Sequence, residues 1–303
     1  MNGAGEHFSR CNTGFDAAMI GQAASHRIPM QTLAMIELQQ QEWAAHAGLP
    51  FDSDGYLADV KENLFASLSH DTKAEFQAAP GNELEDRTNE PAKMRALHSS
   101  SALVCNIFDY WRHVDPAAVG RALGLPLPIA YLQFEKAMPT GLRGTPPTLD
   151  LLLSATGAQA WGVESKFTEP FRSHSRAEPF AESYFLSAPG LWAQSGLPGC
   201  QSVAERLRDG RLQFSHLDAA QLLKHTLGIR RRFSDGGLVY LWFSADSSEA
   251  RMLAEEVGRF AEAVDDALGF RAITHQEVFE RLSAERSADP CHLDYLRRRY
   301  FSA

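Results

Sequence analysis

The chain has 303 residues, 44 % of them apolar, and a formal net charge of −9. That length allows one large domain or two with a sizeable core. No apolar run approaches the roughly 18 residues a membrane helix needs. The N-terminus lacks a basic-then-apolar secretion pattern, and four scattered cysteines, at 11, 105, 200 and 291, speak against a disulfide frame or a zinc site. The expectation is reduced thiols in a cytoplasmic protein.

Residues 1–25 are weakly periodic and rich in Gly, Ser and Asn, the composition of a loose end. Pro29 to Ala47 reads as a helix: Pro29 suits the first turn, Leu33, Ile36, Leu38 and Trp43 form an apolar stripe, and Gly48 stops it. Asp59 to Leu68 and Asp71 to Ala78 read as two more helices, separated by the cap signal Ser69-His70-Asp71. A further helix is expected from Ala92 to Trp111, burying Leu97, Val104, Ile107, Phe108 and Trp111. Ser99-Ser100-Ser101 sits awkwardly inside it, because Ser is a mediocre helix-interior residue; close packing of another element explains it better than catalysis. No Ser lies in a G-x-S-x-G turn, so a serine hydrolase is not indicated. Asp115-Pro116 caps a short helix to Leu123.

Pro128 to Glu135 reads as the first strand of the core, closed by Glu135. The loop Met138–Pro147, punctuated by Gly and Pro and carrying Arg143, is a candidate substrate-facing loop. Two apolar strands follow, Thr148–Leu153 and Trp161–Phe167. Beyond them lies a long, partly irregular stretch, Phe171–Asp209, with aromatic Tyr184, Phe185 and Trp192; satellite packing is the favoured use of these rings over base stacking. Leu217 to Leu227 reads as a helix, with Gln221, Lys224 and His225 on one face; a lone His of this kind is more often structural than a base. Leu238–Phe243 is a strand, Ser247–Leu268 an amphipathic helix, Phe270–Ile273 a short strand, and Gln276–Ala284 and Leu293–Arg299 are closing helices.

The chemistry concentrates in the paired strands. Asp150 lies on the first, and Glu164-Ser165-Lys166 on the second, among apolar neighbours. Charged groups rarely enter such strands unless paired or holding a metal. A turn centred near Gly157 sets Asp150 opposite Glu164, with Cβ atoms about 4.5–5.5 Å apart. Glu164 and Lys166, two apart, share a face. Two carboxylates at that spacing repel unless a cation lies between them, and Mg²⁺ commonly uses only one or two carboxylates plus water and substrate phosphate. The arrangement predicts metal-assisted phosphodiester hydrolysis, with Lys166 steering or deprotonating the water or offsetting phosphate charge. The blander reading is an Asp at a strand start and a Glu/Lys pair on a solvated face.

Thr148-Leu149-Asp150 with Glu164-Ser165-Lys166 resembles the core motif of the PD-(D/E)XK nuclease superfamily. Phe134-Glu135, Pro139–Gly144 and Ser165–Pro170 further resemble a bacterial branch of uncharacterised, restriction-endonuclease-like proteins, over about residues 95–275. One departure is Leu149 where the motif name has Pro. The resemblance implies an α/β fold whose core runs helix, three strands, helix, strand around a central mixed sheet. A mainly helical region, 1–90, would precede the nuclease-like domain, 91–303. It implies Asp150 and Glu164 as metal-binding acids for Mg²⁺ or Mn²⁺ and Lys166 as the catalytic lysine. It further implies a third acid near the first strand, for which Glu135 is the candidate ahead of Glu83, Glu85 and Glu90, and a site-lining residue on the following helix, Gln221. Nucleic acid, above all double-stranded DNA, is the implied partner, with a homodimer by analogy; the rival is a catalytically inactive nuclease fold acting as a binding module. The acidic charge counts against nucleic-acid binding, yet Arg206, Arg208, Arg211, Lys224, Arg230, Arg231 and Arg232 face only Asp209 and Asp218 in their stretch.

Overall fold

The structure is a computed structural model that describes residues 31–302 apart from 127, 156–158, 173–178 and 265–267. The expected loose end at 1–25, the start of the first helix at Pro29 and the turn at Gly157 lie outside those residues. Five strands, β1 (Tyr131–Ala137), β2 (Thr148–Ser154), β3 (Gln159–Lys166), β4 (Asp235–Trp242) and β5 (Gly269–Thr274), form one open mixed sheet in the order β1-β2-β3-β4-β5. The first three are antiparallel neighbours; β4 pairs parallel with β3, and β5 with β4. Parallel neighbours require a crossover. The helices supply it: α1 (Thr32–His46), α2 (His70–Ala78), α3 (Ser100–Val114) and α4 (Pro116–Ala122) precede the sheet. Then α5 (Leu191–Gln194), α6 (Pro198–Arg208) and α7 (Ala219–Arg232) bridge β3 to β4. Finally α8 (Ser248–Ala263) bridges β4 to β5, and α9 (His275–Ser283) and α10 (Pro290–Leu296) follow. Helix, three strands, helix, strand is therefore the order of the core, an α/β restriction-endonuclease-like fold.

Several boundaries differ from the sequence reading, and three of them have a direct physical reason. The helix expected from Ala92 begins at Ser100, because Ser99 is its N-cap: the Ser99 hydroxyl accepts from the Ala102 N–H, the role in which Ser is favoured. Asp59–Leu68 forms only a single 3₁₀ turn, Val60–Asn63. There the Phe65 N–H donates to Asn106 Oδ1 and the Asn63 carbonyl accepts from the Asn106 amide, so a tertiary partner takes backbone groups a helix would have used, while the Asn63 amide donates to the carbonyls of Met94 and Ala96. The first strand starts after Pro128, which has no N–H to give a ladder, and runs past Glu135 to Ala137.

Close approach of α7 to the sheet depends on two glycines. A Cβ on Gly162 of β3 would meet Leu149 and Ile229 side-chain carbons at 2.7–2.8 Å, and one on Gly228 would meet the Met138 carbonyl oxygen at 2.5 Å. This is why α7 continues through Gly228 to Arg232, past the end expected at Leu227. The glycine there is a contact surface, not a stop. The main core spans the sheet and helices, and includes Ile36, Phe76 and Met94 beside Leu151, Val163, Leu223 and Val239.

Candidate active site

The register brings the predicted residues to one end of the sheet. Pairs Phe134–Leu151 and Lys136–Leu149 put Glu135 across from Asp150, and the β2–β3 pair Leu151–Val163 puts Asp150, one step further, across from Glu164. Neither position is part of the hydrogen-bonded ladder. Glu135 has φ +49°, an uncommon conformation for a side-chain-bearing residue that costs on the order of 1–3 kcal/mol and tends to occur at functional sites. Where the β2–β3 ladder stops, the Ser165 N–H donates to Asp150 Oδ2 at 2.6 Å.

Glu164 and Lys166 share a face, as alternation requires: Lys166 Nζ lies 2.6 Å from Glu164 Oε1. Ser165, between them, faces the opposite way, its hydroxyl 3.1 Å from Nε2 of the buried His275 at the start of α9. Glu164 is 1 % exposed, whereas Glu135, Asp150 and Lys166 are half-buried. From α7, His225 Nε2 approaches Glu164 Oε2 to 2.9 Å. The two are not aligned for a hydrogen bond: Glu164 Oε2 and both His225 ring nitrogens are buried with no hydrogen-bond partner among the described residues.

The electrostatics follow from this crowding. Burial, then the charge of Glu164, push Asp150 well above the usual carboxylate range. Burial, then Glu83 and Glu164, push Glu135 up to about 7. Burial acts the same way on Glu164, but Lys166 and His225 overcome it and hold its carboxyl at about 2. Lys166 is raised: burial would discharge it, yet Glu164, Glu169 and Asp150 keep it an ammonium. More negative charge is therefore gathered than the cations present offset, and Asp150 and Glu135 are both raised.

A divalent ion fits this donor set. Glu164 Oε2 is a buried oxygen without a hydrogen-bonded partner among the described residues, and Asp150 and Glu135 are held raised by burial and by neighbouring carboxylates even though Lys166 and Lys93 act against it. Among the described residues no three His, Cys, Asp or Glu side chains already stand as a metal cage. Water and phosphate oxygens would complete the coordination of a hard cation here.

Gln221, from the first turn of α7, lines a half-open cleft with Lys166, Glu169, Pro170, His216, Asp218 and Tyr240. Solvent thus reaches Lys166 from the α7 side. Of the weaker acids, Glu83 stands near enough to Glu135 to act on its charge and pairs with Lys93 at 3.1 Å. Glu85 instead accepts from Gln77, and Glu90 is exposed in a short bridge with Arg87. His225, read from sequence as structural, is the residue the sequence undervalued. Its position one helical turn after Gln221 was the available signal. The aromatic insertion packs into the main core and is not a satellite cluster: Tyr184 stacks on buried Trp192, with Phe180 and Phe185 around them, and Arg208 and Lys224 lie over Phe185 and Phe180.

Asp209 neutralises Arg208 and Arg211. Among the described residues no carboxylate pairs with Arg143, Arg206, Lys224, Arg230, Arg231 or Arg232, and Arg231 lies against Gly141 in the loop joining β1 to β2. No described helix is long and apolar enough to cross a membrane.

No match was found among curated proteins or among solved structures. A family model described as "Restriction Endonuclease associating with ARP" matches residues 53–301, which takes in all five strands and every residue of the site. With most of its length covered by that match, and with the sheet order and acid–acid–lysine cluster above, the chain belongs to this restriction-endonuclease family.

Proposed function

We propose that the chain hydrolyses phosphodiester bonds in DNA, cutting internally in a double strand, with Mg²⁺ or Mn²⁺ held by Asp150 and Glu164 and supported by Glu135. The observation that carries this reading is the gathering of Asp150, Glu164 and Lys166 at one end of the sheet, with Asp150 tied to Ser165, Lys166 on Glu164 Oε1, and the second oxygen of Glu164 without a hydrogen-bond partner among the described residues. Family membership supports the nuclease class. The unpaired cations of α6, α7 and the β1–β2 loop support a polyanionic substrate despite the net charge, since phosphate affinity depends on local cation density.

The ion, when bound, supplies Lewis-acid polarisation of the phosphate and a more acidic water. Asp150 is fixed by the Ser165 N–H, so its free oxygen has a defined direction. Glu164 is ionised throughout the neutral range and offers Oε2. Lys166 stays protonated beside Glu164, so it is a poor base; it neutralises charge gathering on the phosphate and orients the attacking water. Gln221, in the same cleft, offers an amide to that water or to a phosphate oxygen. Tyr240 forms part of the cleft wall.

The test is incubation of plasmid DNA with Mn²⁺ or Mg²⁺, wild type beside Asp150→Asn and Lys166→Ala. Metal-dependent cutting by the wild type and none by either variant is the expected result; equal cutting by all three refutes the assignment. Lys166→Ala also strips a buried carboxylate of its partner, a change of about 3–5 kcal/mol in stability, so its folding is checked by circular dichroism. A second reading, a nuclease fold that binds without cutting, is favoured by one feature: Glu164 is 1 % exposed and Lys166 closes over it. It predicts Asp150-dependent stabilisation by Mn²⁺ in a thermal melt with no cleavage of any DNA.

A further inference from the structure

His225 stands outside the roles assigned above. It is fully buried on α7, 0 % exposed, and neither ring nitrogen has a hydrogen-bond partner among the described residues. Its Nε2 lies 2.9 Å from Glu164 Oε2, which is equally buried and equally unpartnered. An imidazole N–H aimed squarely at a carboxylate at this distance would form a strong hydrogen bond; here the two atoms stand close without meeting the geometry of one. An ion shared between them would give a pair of this kind. Two donors bound at about 2.1 Å and at right angles to each other are about 3.0 Å apart, with neither pointing at the other.

We propose that His225 Nε2 and Glu164 Oε2 are adjacent ligands of one divalent ion, so that the site has mixed nitrogen and oxygen donors. The inference rests on the metal-dependent reading above and deepens it by naming the ion class. Mg²⁺ favours oxygen, whereas imidazole suits first-row transition metals. The ion selected is a first-row transition metal in preference to Mg²⁺, and Mn²⁺ serves as its spectroscopic representative. The absence of a side chain at Gly162 and Gly228 lets α7, which carries His225, press onto the sheet that carries Glu164.

The experiment uses the purified full chain with Mn²⁺ as the spectroscopic probe. Pulsed electron paramagnetic resonance reads nitrogen bound to manganese without any cleavage assay. The wild type is expected to show ¹⁴N modulation that converts to the ¹⁵N pattern when only histidine is ¹⁵N-labelled. In His225→Gln that signal is lost, Mn²⁺ binds at least about 10-fold more weakly, and the preference for Mn²⁺ over Mg²⁺ shrinks by a similar factor. Asp150→Asn reports whether the bound ion is at this site. Asp150-dependent Mn²⁺ binding without nitrogen modulation, or modulation that survives in His225→Gln, overturns the inference and leaves the nuclease reading standing. No Asp150-dependent Mn²⁺ binding at all overturns both. The labelled wild type keeps the test decisive even where a variant folds poorly.

Discussion

The backbone N–H of Ser165 donates to Asp150 Oδ2 at 2.6 Å, just beyond Leu151 and Val163, the last paired residues of β2 and β3 at this end. A side chain here takes over from the ladder. Asp150 is thereby locked to the strand that carries Glu164 and Lys166, and any shift of one strand along the other would move both acids together. The bond also sets a clean substitution. In Asp150→Asn the side-chain carbonyl can still accept from Ser165, while the buried charge is gone. We expect stability at pH 7 to be unchanged or higher by about 1 kcal/mol, because an ionised carboxylate in this site repels Glu164, and cleavage to fall by more than about 100-fold. Denaturant unfolding and a plasmid assay on the same preparation measure both. A variant that loses several kcal/mol would mean the charge itself holds the strands together.

Glu135 and Glu164 move in opposite directions, and the metal-free chain should show it. Glu135 has its carboxyl raised to about 7. It therefore binds its proton more tightly folded than unfolded, and the resulting stability is complete below about 4.5 and lost as pH rises to about 7. Asp150, also raised, acts in the same sense. Glu164, lowered to about 2, contributes stability that is present above about 4.5 and lost as pH falls toward 2. Chelated protein should accordingly be most stable in mildly acidic solution and lose up to about 3 kcal/mol toward pH 7 through Glu135. Glu135→Gln should flatten that decline, and Mn²⁺ should offset it in the wild type alone. Melting temperatures across pH 4–8 decide it; a decline of equal depth in Glu135→Gln removes Glu135 from the cluster.

Much of this was readable in the chain. The strand alternation carried Glu164 and Lys166 to one face, and the two apolar runs around Asp150 and Glu164 set the hairpin, because a shifted register would have put leucines in water. The crossover architecture followed from a helical pattern between strands. What the sequence hid were tertiary choices. Nothing local announces that the Asn106 side chain captures the Asn63 carbonyl and the Phe65 N–H, or that the Asn63 amide reaches the carbonyls of residues 94 and 96. Nor does anything local show that Ser99 faces forward as a cap, or that Glu135 sits inside its strand at positive φ. His225 was hidden because a buried imidazole on an apolar face looks the same in sequence whether it touches a leucine or a carboxylate.

Gly228 gives a test of how far α7 controls the site. Its missing side chain lets the helix rest on the Met138 carbonyl, and the same helix presents Gln221 and His225. In Gly228→Ala a methyl would stand 2.5 Å from that oxygen, so helix or strand must retreat. Overpacking of this kind costs about 1–3 kcal/mol, although Ala is the better helix former. The expected phenotype is a lower melting temperature together with weaker Mn²⁺ binding, because His225 withdraws from Glu164. A gain in stability with unaltered Mn²⁺ affinity would show that the contact relaxes locally and that α7 does not transmit it.

Arg299 ties the two ends of the described chain together. It is fully buried yet has no carboxylate partner among the described residues; it donates instead to Asn63 O at 2.8 Å, Leu97 O at 3.2 Å, Gln40 Oε1 at 3.2 Å and the Asn63 side chain. Its guanidinium also lies 4.2 Å from the Trp43 ring centroid. A delocalised, weakly hydrated cation suits such a site, and a planar fork can satisfy several acceptors at once. Arg299→Leu would leave those acceptors buried and unpaired, at about 1–3 kcal/mol for each one that water cannot reach. Apart from the nearby Tyr295 hydroxyl, the acceptors span residues 40–97, whereas Arg299 sits in the π-helical stretch Arg297–Phe301 after α10, so the bond set couples residues 40–97 to the closing segment of the fold. We therefore expect the wild type to unfold in one transition by both tryptophan fluorescence and far-ultraviolet circular dichroism. Arg299→Leu should lose at least about 3 kcal/mol and expose residues 32–97 to limited proteolysis before the sheet. Two separate transitions in the wild type, with Arg299→Leu affecting neither, would instead make the N-terminal region an independent folding unit.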